Sequence, residues 1–513
     1  MANKSLGPPE TRIVASSSLE SADYDSIILI YTPGQTLPSA ISGVVTDALS
    51  LDPGLETELA VLSTKLPSKK LIYSPTGPID PDYEDVRIYE EAAEKAIKRA
   101  LKSGSKKPLV FLPPDSNFSK SQLVTLLGIL KIIYTPIQVR EHDPSKTNKL
   151  EHVGVWTGDE KTLPSLIETA LTLENGRRVA RDIGQADPER MAPPRIEEYV
   201  RNIFANTPIK VDVVDDITKI SKEYPLFEAV NRAASCQERH RGRLIFLEYN
   251  PPESVKQTLF LVGKGVTYDT GGADVKIGGG MRGMSRDKCG AAAVLGFMHL
   301  VQNFAPKNLR VVAGVGIVRN SIGSNSYVAD EVITARSGAR VRVVNTDAEG
   351  RMIMADILCR FKEEALNAVN PHLFTIATLT GHACLTVGDG YSIVIDNGPA
   401  YKSGYSRKLQ EQSEEIGDPF EISTLRKEDI AGHRGVAEGD DVLQGLPKPS
   451  SQSMRGHQGP AAFLLLASGL DKYGSGSPSP LKYSHLDIAA SSGDLPRPAT
   501  GSPILALAKT YLL

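Results

Sequence analysis

The chain has 513 residues, of which 41% are hydrophobic and 23% charged, a composition typical of a globular protein with two or three domains. The formal net charge of -3 gives no electrostatic reason to expect nucleic acid or an anionic membrane as the main partner. The N-terminal residues lack the apolar core of a secretory signal, and we find no apolar run of about 18 residues that predicts a membrane span. Four cysteines without C-x-x-C spacing indicate reduced thiols, so we expect a cytoplasmic protein.

Strands and helices alternate in the first part of the chain. Short apolar runs rich in β-branched residues predict buried strands at Ser26–Tyr31 and Pro108–Leu112. Between them, Tyr83–Lys102 has apolar residues at helical spacing, with acidic residues early and basic residues late, and predicts a helix. This alternation predicts a small N-terminal α/β domain over residues 1–162.

A long linking helix is predicted at residues 163–184, and proline-rich segments after residue 185 end it. A second and larger α/β domain is predicted over residues 185–513, so the fold class is α/β. Its predicted strands are Leu259–Val262, Val311–Val318, Arg340–Asn345 and Leu373–Thr378. Its clearest predicted helices are Gly290–Asn303 and Arg351–Ala368.

Four ionisable residues lie among glycines after the first strand of this second domain. They are Lys264, Asp269, Lys276 and Asp287. Glycines let the backbone approach a ligand closely, but the spacing matches neither a P-loop nor a good dinucleotide fingerprint. Reactive residues of α/β sheets cluster where strands end and helices begin, so the segment indicates a reactive site rather than a phosphate cradle.

A second acidic pair follows the strand predicted at Arg340–Asn345. Asp347 and Glu349 are two residues apart, so both side chains would point the same way in an extended segment. The two carboxylates would repel each other unless positive charge lay between them. Together with Asp269 and Asp287 they make a set of four carboxylates, which suits two divalent ions such as zinc, manganese or magnesium. Two such ions sharing one water would make hydroxide near neutral pH. Ordinary surface salt bridges are the alternative for any single pair of acidic residues.

Five segments resemble the signature segments of the leucine aminopeptidase (cytosol aminopeptidase) family of metallopeptidases. These segments are LVGKGVTYDTGG, DVK, MSRDKCGAAA, NTDAEGR and ATLTG, in the family's order and with closely similar spacing. The similarity covers about residues 160–513, whereas the N-terminal domain resembles that of the family only in size and α/β pattern. The resemblance implies a catalytic domain at residues 185–513 with a mixed central sheet flanked by helices. It also implies release of N-terminal amino acids, leucine or other apolar residues, from short peptides.

The resemblance also implies a set of metal ligands. Asp269 and Glu349 would bridge both ions, Asp347 would complete the more loosely held site, and Lys264 with Asp287 would complete the tighter site. A lysine that binds a metal ion must be neutral, so the ion has to lower its pKa strongly. The free amine of the substrate would bind the tighter ion, which accounts for cleavage of the first peptide bond alone.

Catalytic and substrate-binding roles follow from the same resemblance. Lys276 would stay charged and stabilise the oxyanion of the tetrahedral intermediate. Arg351 would hold a bicarbonate ion that serves as general base, which agrees with the lack of histidine in these segments. Four residues match substrate-binding positions: Met284, Thr378, Leu379 and Gly381. For Met284, an ordinary core methionine is the alternative.

Two alternatives to an active peptidase remain open from the sequence. A family member without activity could act as a binding or scaffold protein on the same fold. A different carboxylate-metal hydrolase, such as a phosphoesterase, would need a basic phosphate-facing cluster or histidine ligands. The expected partner is a peptide substrate, with no nucleic acid and no membrane, and the resemblance implies a homohexamer.

Overall fold

The computed structural model describes Gly7, Pro9 and residues 11–513. The chain forms two compact units, an N-terminal unit that extends to Glu174 and includes Gln412–Gly417, and a second unit of Asn175–Glu411 and Asp418–Leu513. The division lies inside one uninterrupted helix, Leu163–Gln185. The domain boundaries at residues 162 and 184 therefore stay a prediction.

The N-terminal unit is a six-stranded sheet with helices between its strands. The strands are β1 (Ile13–Ala15), β2 (Ser26–Tyr31), β3 (Ala60–Ser63), β4 (Lys70–Pro75), β5 (Pro108–Phe111) and β6 (Val153–Trp156). The helices are α1 (Ser39–Leu51), α2 (Arg87–Lys102), α3 (Ser121–Ile133) and α4 (Ile137–His142). The order across the sheet is β1-β6-β5-β2-β4-β3, and β3 pairs antiparallel with β4 while the other pairs are parallel.

Helix α2 begins later than the sequence predicts. The prediction placed its start at Tyr83, whereas the helix starts at Arg87, whose amide donates to Asp85 Oδ1 at 2.8 Å. Tyr83 lies in a turn that its amide closes on the carbonyl of Asp80. A side-chain acceptor near a helix start satisfies an amide that has no partner within the helix, which explains the later start.

The helix α5 (Leu163–Gln185) leads into the second unit. The strands that follow are β7 (Lys210–Val214), β8 (Arg243–Tyr249), β9 (Gln257–Asp269), β10 (Leu309–Asn320), β11 (Val332–Thr334), β12 (Arg340–Arg342), β13 (Pro371–Ala377), β14 (Ser392–Asp396), β15 (Phe420–Thr424), β16 (Val442–Leu443) and β17 (Lys482–Asp487). The helices are α6 (Pro193–Ile203), α7 (Ile217–Glu223), α8 (Pro225–Ala234), α9 (Cys289–Phe304), α10 (Glu349–Ala365), α11 (Gly381–Val387), α12 (Gly398–Lys402), α13 (Tyr405–Glu414), α14 (Lys427–Ala431), α15 (Gln458–Ser468) and α16 (Ile504–Tyr511). In the part of the chain that the structure describes, none of these helices has the length and apolarity that a membrane crossing requires.

The second unit is organised around an eight-stranded mixed sheet in the order β15-β14-β17-β13-β9-β10-β8-β7. Its central strands β17, β13, β9 and β10 are parallel, and β14 and β8 run antiparallel to their central neighbours. Helix α9 packs on one face, where a Cβ added to Gly290 would lie 2.9 Å from the Cα of Ala377. Helix α10 packs on the other face, against Gly314 and Gly316 of β10. This mixed sheet flanked by helices confirms the predicted fold class.

Strand β12 is shorter than the strand predicted at Arg340–Asn345. It ends at Arg342, because the amides of Val344 and Asn345 both donate to Gln444 Oε1 at 3.0 Å instead of to a neighbouring strand. Strand β12 belongs to a separate three-stranded sheet in the order β11-β12-β16, and the chain leaves this sheet just before the acidic pair and enters a turn.

Candidate active site

The polar side chains of the site come from strand β9, from the loop that follows it and from the segments that lead into α9 and α10. Lys264 lies within β9 and Asp269 is its last residue, while Asp287 lies two residues before α9. The prediction of an extended segment carrying the acidic pair is wrong, because Asp347 lies in a turn and Glu349 is the first residue of α10. The two carboxylates nonetheless meet, since the turn and the helix start return the chain to the end of β9.

Three carboxylates converge closely enough to share a cation. Asp269, Asp347 and Glu349 each present an oxygen, and these oxygens lie within 4.8 Å of one another. Burial raises the pKa of Asp347 to about 7, and the carboxylates of Asp269 and Glu349 add to this effect. Burial likewise raises the pKa of Glu349, which is 1% exposed. Such crowding of acidic groups disfavours their charged forms unless positive charge lies between them.

Lys264 provides positive charge on one side of this cluster. Its Nζ lies 2.6 Å from Asp287 Oδ1 and 3.0 Å from Glu349 Oε1, and it donates to the carbonyl of Thr378 at 3.0 Å. Burial alone would lower the pKa of Lys264, but the surrounding carboxylates, Asp287 foremost, outweigh it and raise the pKa. A metal ion that displaced one proton from the Lys264 amine would bind Nζ among the same carboxylates.

Lys276 provides positive charge on the opposite side. Its Nζ lies 2.8 Å from Asp269 Oδ2 and 2.5 Å from Asp347 Oδ1. Burial alone would lower the pKa of Lys276. The carboxylates of Asp269, Glu349 and Asp347 together outweigh burial and raise the pKa, so the amine is cationic at neutral pH. Its side chain is also more exposed than that of Lys264, at 16% against 4%.

The donor set fits divalent cations. Asp287 Oδ2 and Glu349 Oε2 are buried and have no hydrogen-bond partner within the residues that the structure describes. A buried carboxylate oxygen without a partner is costly, and coordination of a cation would satisfy it. Four carboxylates and one amine match the preference of Zn²⁺ and Mn²⁺ for mixed oxygen and nitrogen ligands.

Arg351 lies behind Glu349 on the first turn of α10 and is buried. Its Nη1 donates to the carbonyl of Gln444 at 3.0 Å, while its Nε has no partner among the described residues. Burial lowers the pKa of Arg351 to about 10, so the guanidinium stays charged at neutral pH. A buried cation with an unused N–H is suited to binding a small planar anion.

One cavity of about 410 Å³ is lined by every residue predicted for the site. These residues are Lys264, Asp269, Lys276, Met284, Asp287, Asp347, Glu349, Arg351, Thr378, Leu379 and Gly381. Met284 is half-buried at the cavity wall, so its position does not match a methionine sealed in the core. The structure therefore brings together groups that lie far apart along the chain.

Several residues that position the site were not singled out from the sequence. Asn320 Nδ2 donates to Asp269 Oδ1 at 2.8 Å and to the carbonyl of Thr346 at 3.1 Å. Asp274 accepts from the amide of Thr346 at 2.7 Å, and Gln444 donates to the carbonyl of Ala348 at 2.9 Å. The nearness of Asp274 to Lys276 was a weak signal, whereas nothing local to the sequence marks Gln444.

Gly350 lets α10 approach Lys264 closely, and its replacement by alanine is expected to weaken metal binding. A Cβ at this position would lie 2.7 Å from both Cδ and Nζ of Lys264, so the lysine side chain would have to shift from its present position among the carboxylates. We expect Gly350→Ala to lower metal affinity roughly 10- to 100-fold, the range seen when groups that orient metal ligands are disturbed.

Chelator competition measures that affinity, and Gly476→Ala is the matched control. A Cβ on Gly476 would meet no heavy atom of the described chain within 4 Å. Equal metal affinities of the two variants would contradict this expected effect of the added Cβ on Lys264.

Comparison with known proteins gives one consistent family. The catalytic domain of the cytosol aminopeptidase family matches residues 178–508. A putative aminopeptidase of Caenorhabditis elegans is 46% identical, with 98% of each chain covered. The structure of leucyl aminopeptidase from Leishmania major in complex with actinonin aligns with a TM-score of 0.80 and 17% identity, covering 99% of this chain and 95% of that one. A bottromycin maturation enzyme in complex with Mn aligns with a TM-score of 0.76 and 20% identity, covering 95% and 98%.

Proposed function

Because the chain belongs to the cytosol aminopeptidase family and is a metal-dependent aminopeptidase, a metallo-exopeptidase, we propose that it releases leucine or another apolar residue from the N-terminus of short peptides. The observation that carries this proposal is the convergence of Asp269, Asp347 and Glu349 between two lysines in one cavity. A scaffold protein would have no need to keep so many charged groups buried together.

Five residues would hold two divalent ions: Lys264, Asp269, Asp287, Asp347 and Glu349. Zinc, manganese and magnesium are the candidates, and the bottromycin enzyme solved with Mn supports manganese through its shared fold. When bound, such ions lower the pKa of water and polarise the carbonyl that is attacked. Asp269 is oriented for this role by Asn320 and by the amide of Gly271, which donates to its Oδ1 at 2.9 Å.

Lys276 would stabilise the negative charge that develops on the carbonyl oxygen of the scissile bond. Its amine lines the cavity and is kept protonated by the carboxylates around it. A fixed cation aimed at this oxygen contributes most when water is excluded, and the side chain is largely buried. Lys264 differs because its amine lies between the carboxylates of Asp287 and Glu349, two of the proposed metal ligands, which supports its own role as a metal ligand.

Arg351 would bind bicarbonate, which would accept a proton from the attacking water. The unused Nε of its buried guanidinium supports this role. The general base is then an anion held by the protein rather than a side chain.

The substrate would lie along the segment that follows β13. The amide of Leu379 donates to Asp487 Oδ1 at 3.3 Å, and Thr380 Oγ1 donates to Asp487 Oδ2 at 2.7 Å, so Asp487 fixes the backbone of this segment. The carbonyl of Leu379 would then orient the peptide, while Met284, Thr378 and Gly381 would contact its first side chain. We also propose a cytoplasmic homohexamer that needs neither nucleic acid nor a membrane.

Leucyl amide and N-acetyl-leucyl amide, compared in the presence of Mn²⁺ or Zn²⁺, test this function. We expect cleavage of the free-amine substrate only, because the acetyl group removes the amine that the tighter ion would bind. A panel of amino-acyl amides measures the preference for the first residue. Equal cleavage of the acetylated compound, or no cleavage of any amide, would contradict the proposal.

A further inference from the structure

A second cavity, of about 820 Å³, lies in the N-terminal unit at the carboxyl ends of β2, β5 and β6. The chain runs from β2 to β4 on one side and then crosses back to β5 on the other side of β2, so the strand order reverses between β2 and β5. In open α/β sheets, ligands bind in the crevice outside the carboxyl ends of the strands at such a reversal. We call this cavity the switch-point crevice.

Side chains tie the walls of the switch-point crevice together. Gln35, in the loop after β2, accepts from the amide of Thr32 at 3.3 Å and donates to the carbonyl of Pro114 in the loop after β5, also at 3.3 Å. Tyr89 donates its hydroxyl proton to Asp115 Oδ2 at 2.8 Å, and its oxygen lies 2.8 Å from Thr32 Oγ1. The two loops are therefore held at a fixed spacing before any ligand arrives.

Asp115 is fixed in one orientation within this crevice. Its Oδ1 accepts the amides of Asn117 at 2.7 Å and Phe118 at 3.0 Å, and its Oδ2 accepts from Tyr89. A carboxylate oxygen can accept more than one hydrogen bond. Asp115 Oδ2 therefore has capacity for a donor from a ligand in addition to Tyr89. A carboxylate held in this way is a preorganised acceptor.

The charge and shape of the lining select the class of ligand. Among the described residues that line the crevice, Asp115 is the one acidic residue and there is no lysine or arginine, which disfavours phosphate groups. Trp156 is half-buried and packs on Phe111 with ring centroids 4.9 Å apart, so an aromatic side chain forms part of the wall of the crevice. Hydroxyl and amide groups complete the lining, as in Thr36, Ser116 and Asn117.

We propose that the switch-point crevice binds an uncharged nucleoside carrying an exocyclic amine, with its base stacked on Trp156 and its amine donating to Asp115. The aromatic surface suits a planar base, the carboxylate suits the amine, and the hydroxyl groups suit a ribose. This binding site is independent of the peptidase chemistry, and its test does not depend on peptidase activity.

The sequence provides a direct reporter, because Trp156 is the only tryptophan of the chain. Adenosine titrated into the full-length protein is expected to change tryptophan fluorescence saturably. Inosine, which has a carbonyl in place of the amine, is expected to bind about tenfold more weakly, the size of effect that follows from losing a hydrogen bond to a charged group. AMP is also expected to bind more weakly, because its phosphate meets no cation.

Asp115→Asn is the variant to compare with the natural protein, and Asp47→Asn on the exposed face of α1 is its matched control. We expect the first to lose the preference for adenosine over inosine and the second to keep it. If Asp115→Asn fails to fold, the ratio of the affinities of the natural protein for adenosine and inosine still tests the proposal. No saturable signal with adenosine, or equal affinities for the two nucleosides in the natural protein, would overturn the proposal.

Discussion

Replacing Lys276 by methionine is expected to lower kcat for leucyl amide by about 10²- to 10³-fold, the effect of removing one group that stabilises an oxyanion. Methionine keeps most of the apolar stem and removes the charge. The KM is expected to change little, because in the proposed role the charge acts on an oxygen that becomes negative only in the transition state. Steady-state kinetics at saturating metal separate the two parameters.

Metal content distinguishes this outcome from damage to the metal site. Lys276 Nζ lies 2.8 Å from Asp269 and 2.5 Å from Asp347, so its removal leaves the carboxylates more negative and is expected to keep or increase metal binding. Lys427→Met is the matched control, because the Lys427 side chain is 92% exposed. An active Lys276→Met enzyme, or one that has lost its metal, would contradict the assigned role.

Replacing Glu349 by glutamine is expected to remove bound metal and to lower activity by at least ~10³-fold, because water without the metal returns to its much higher pKa. Glu349 is 1% exposed and its Oε2 has no hydrogen-bond partner among the described residues, which supports the proposal that it binds a cation. Elemental analysis of the dialysed protein measures the loss. Glu411→Gln, on the exposed side of α13, is the matched control.

Thermal unfolding provides an independent measurement for the same variant. Ligands that bind only the folded state raise its stability, so added Mn²⁺ is expected to raise the Tm of the natural protein but not that of Glu349→Gln. In the presence of chelator at neutral pH the variant is expected to be at least as stable, because a carboxylate whose pKa is raised in the folded state costs stability when it ionises, and a neutral amide has replaced it. A chelated variant that is less stable than the natural protein would assign Glu349 a structural role instead.

Local sequence predicted most of the elements that carry the site. The strand predicted at Leu259–Val262 lies within β9, and the helix predicted at Gly290–Asn303 lies within α9, because a continuous apolar run and helical periodicity are local properties. The strand predicted at Arg340–Asn345 is too long, because a side chain about a hundred residues away, Gln444, takes its last amides. Local patterns cannot report a partner so distant along the chain.

The sequence by itself determined which residue types are available for the site, their order along the chain and the class of fold. The tertiary structure alone decided that Glu349 begins a helix and that Lys264 donates to the carbonyl of Thr378, 114 residues away. It also decided that the switch-point crevice opens where the strand order of the N-terminal sheet reverses. The physical reason is that propensity and periodicity act over a few neighbouring residues. The distances that would let carboxylates share a cation are set by the packing of helices on both faces of the sheet.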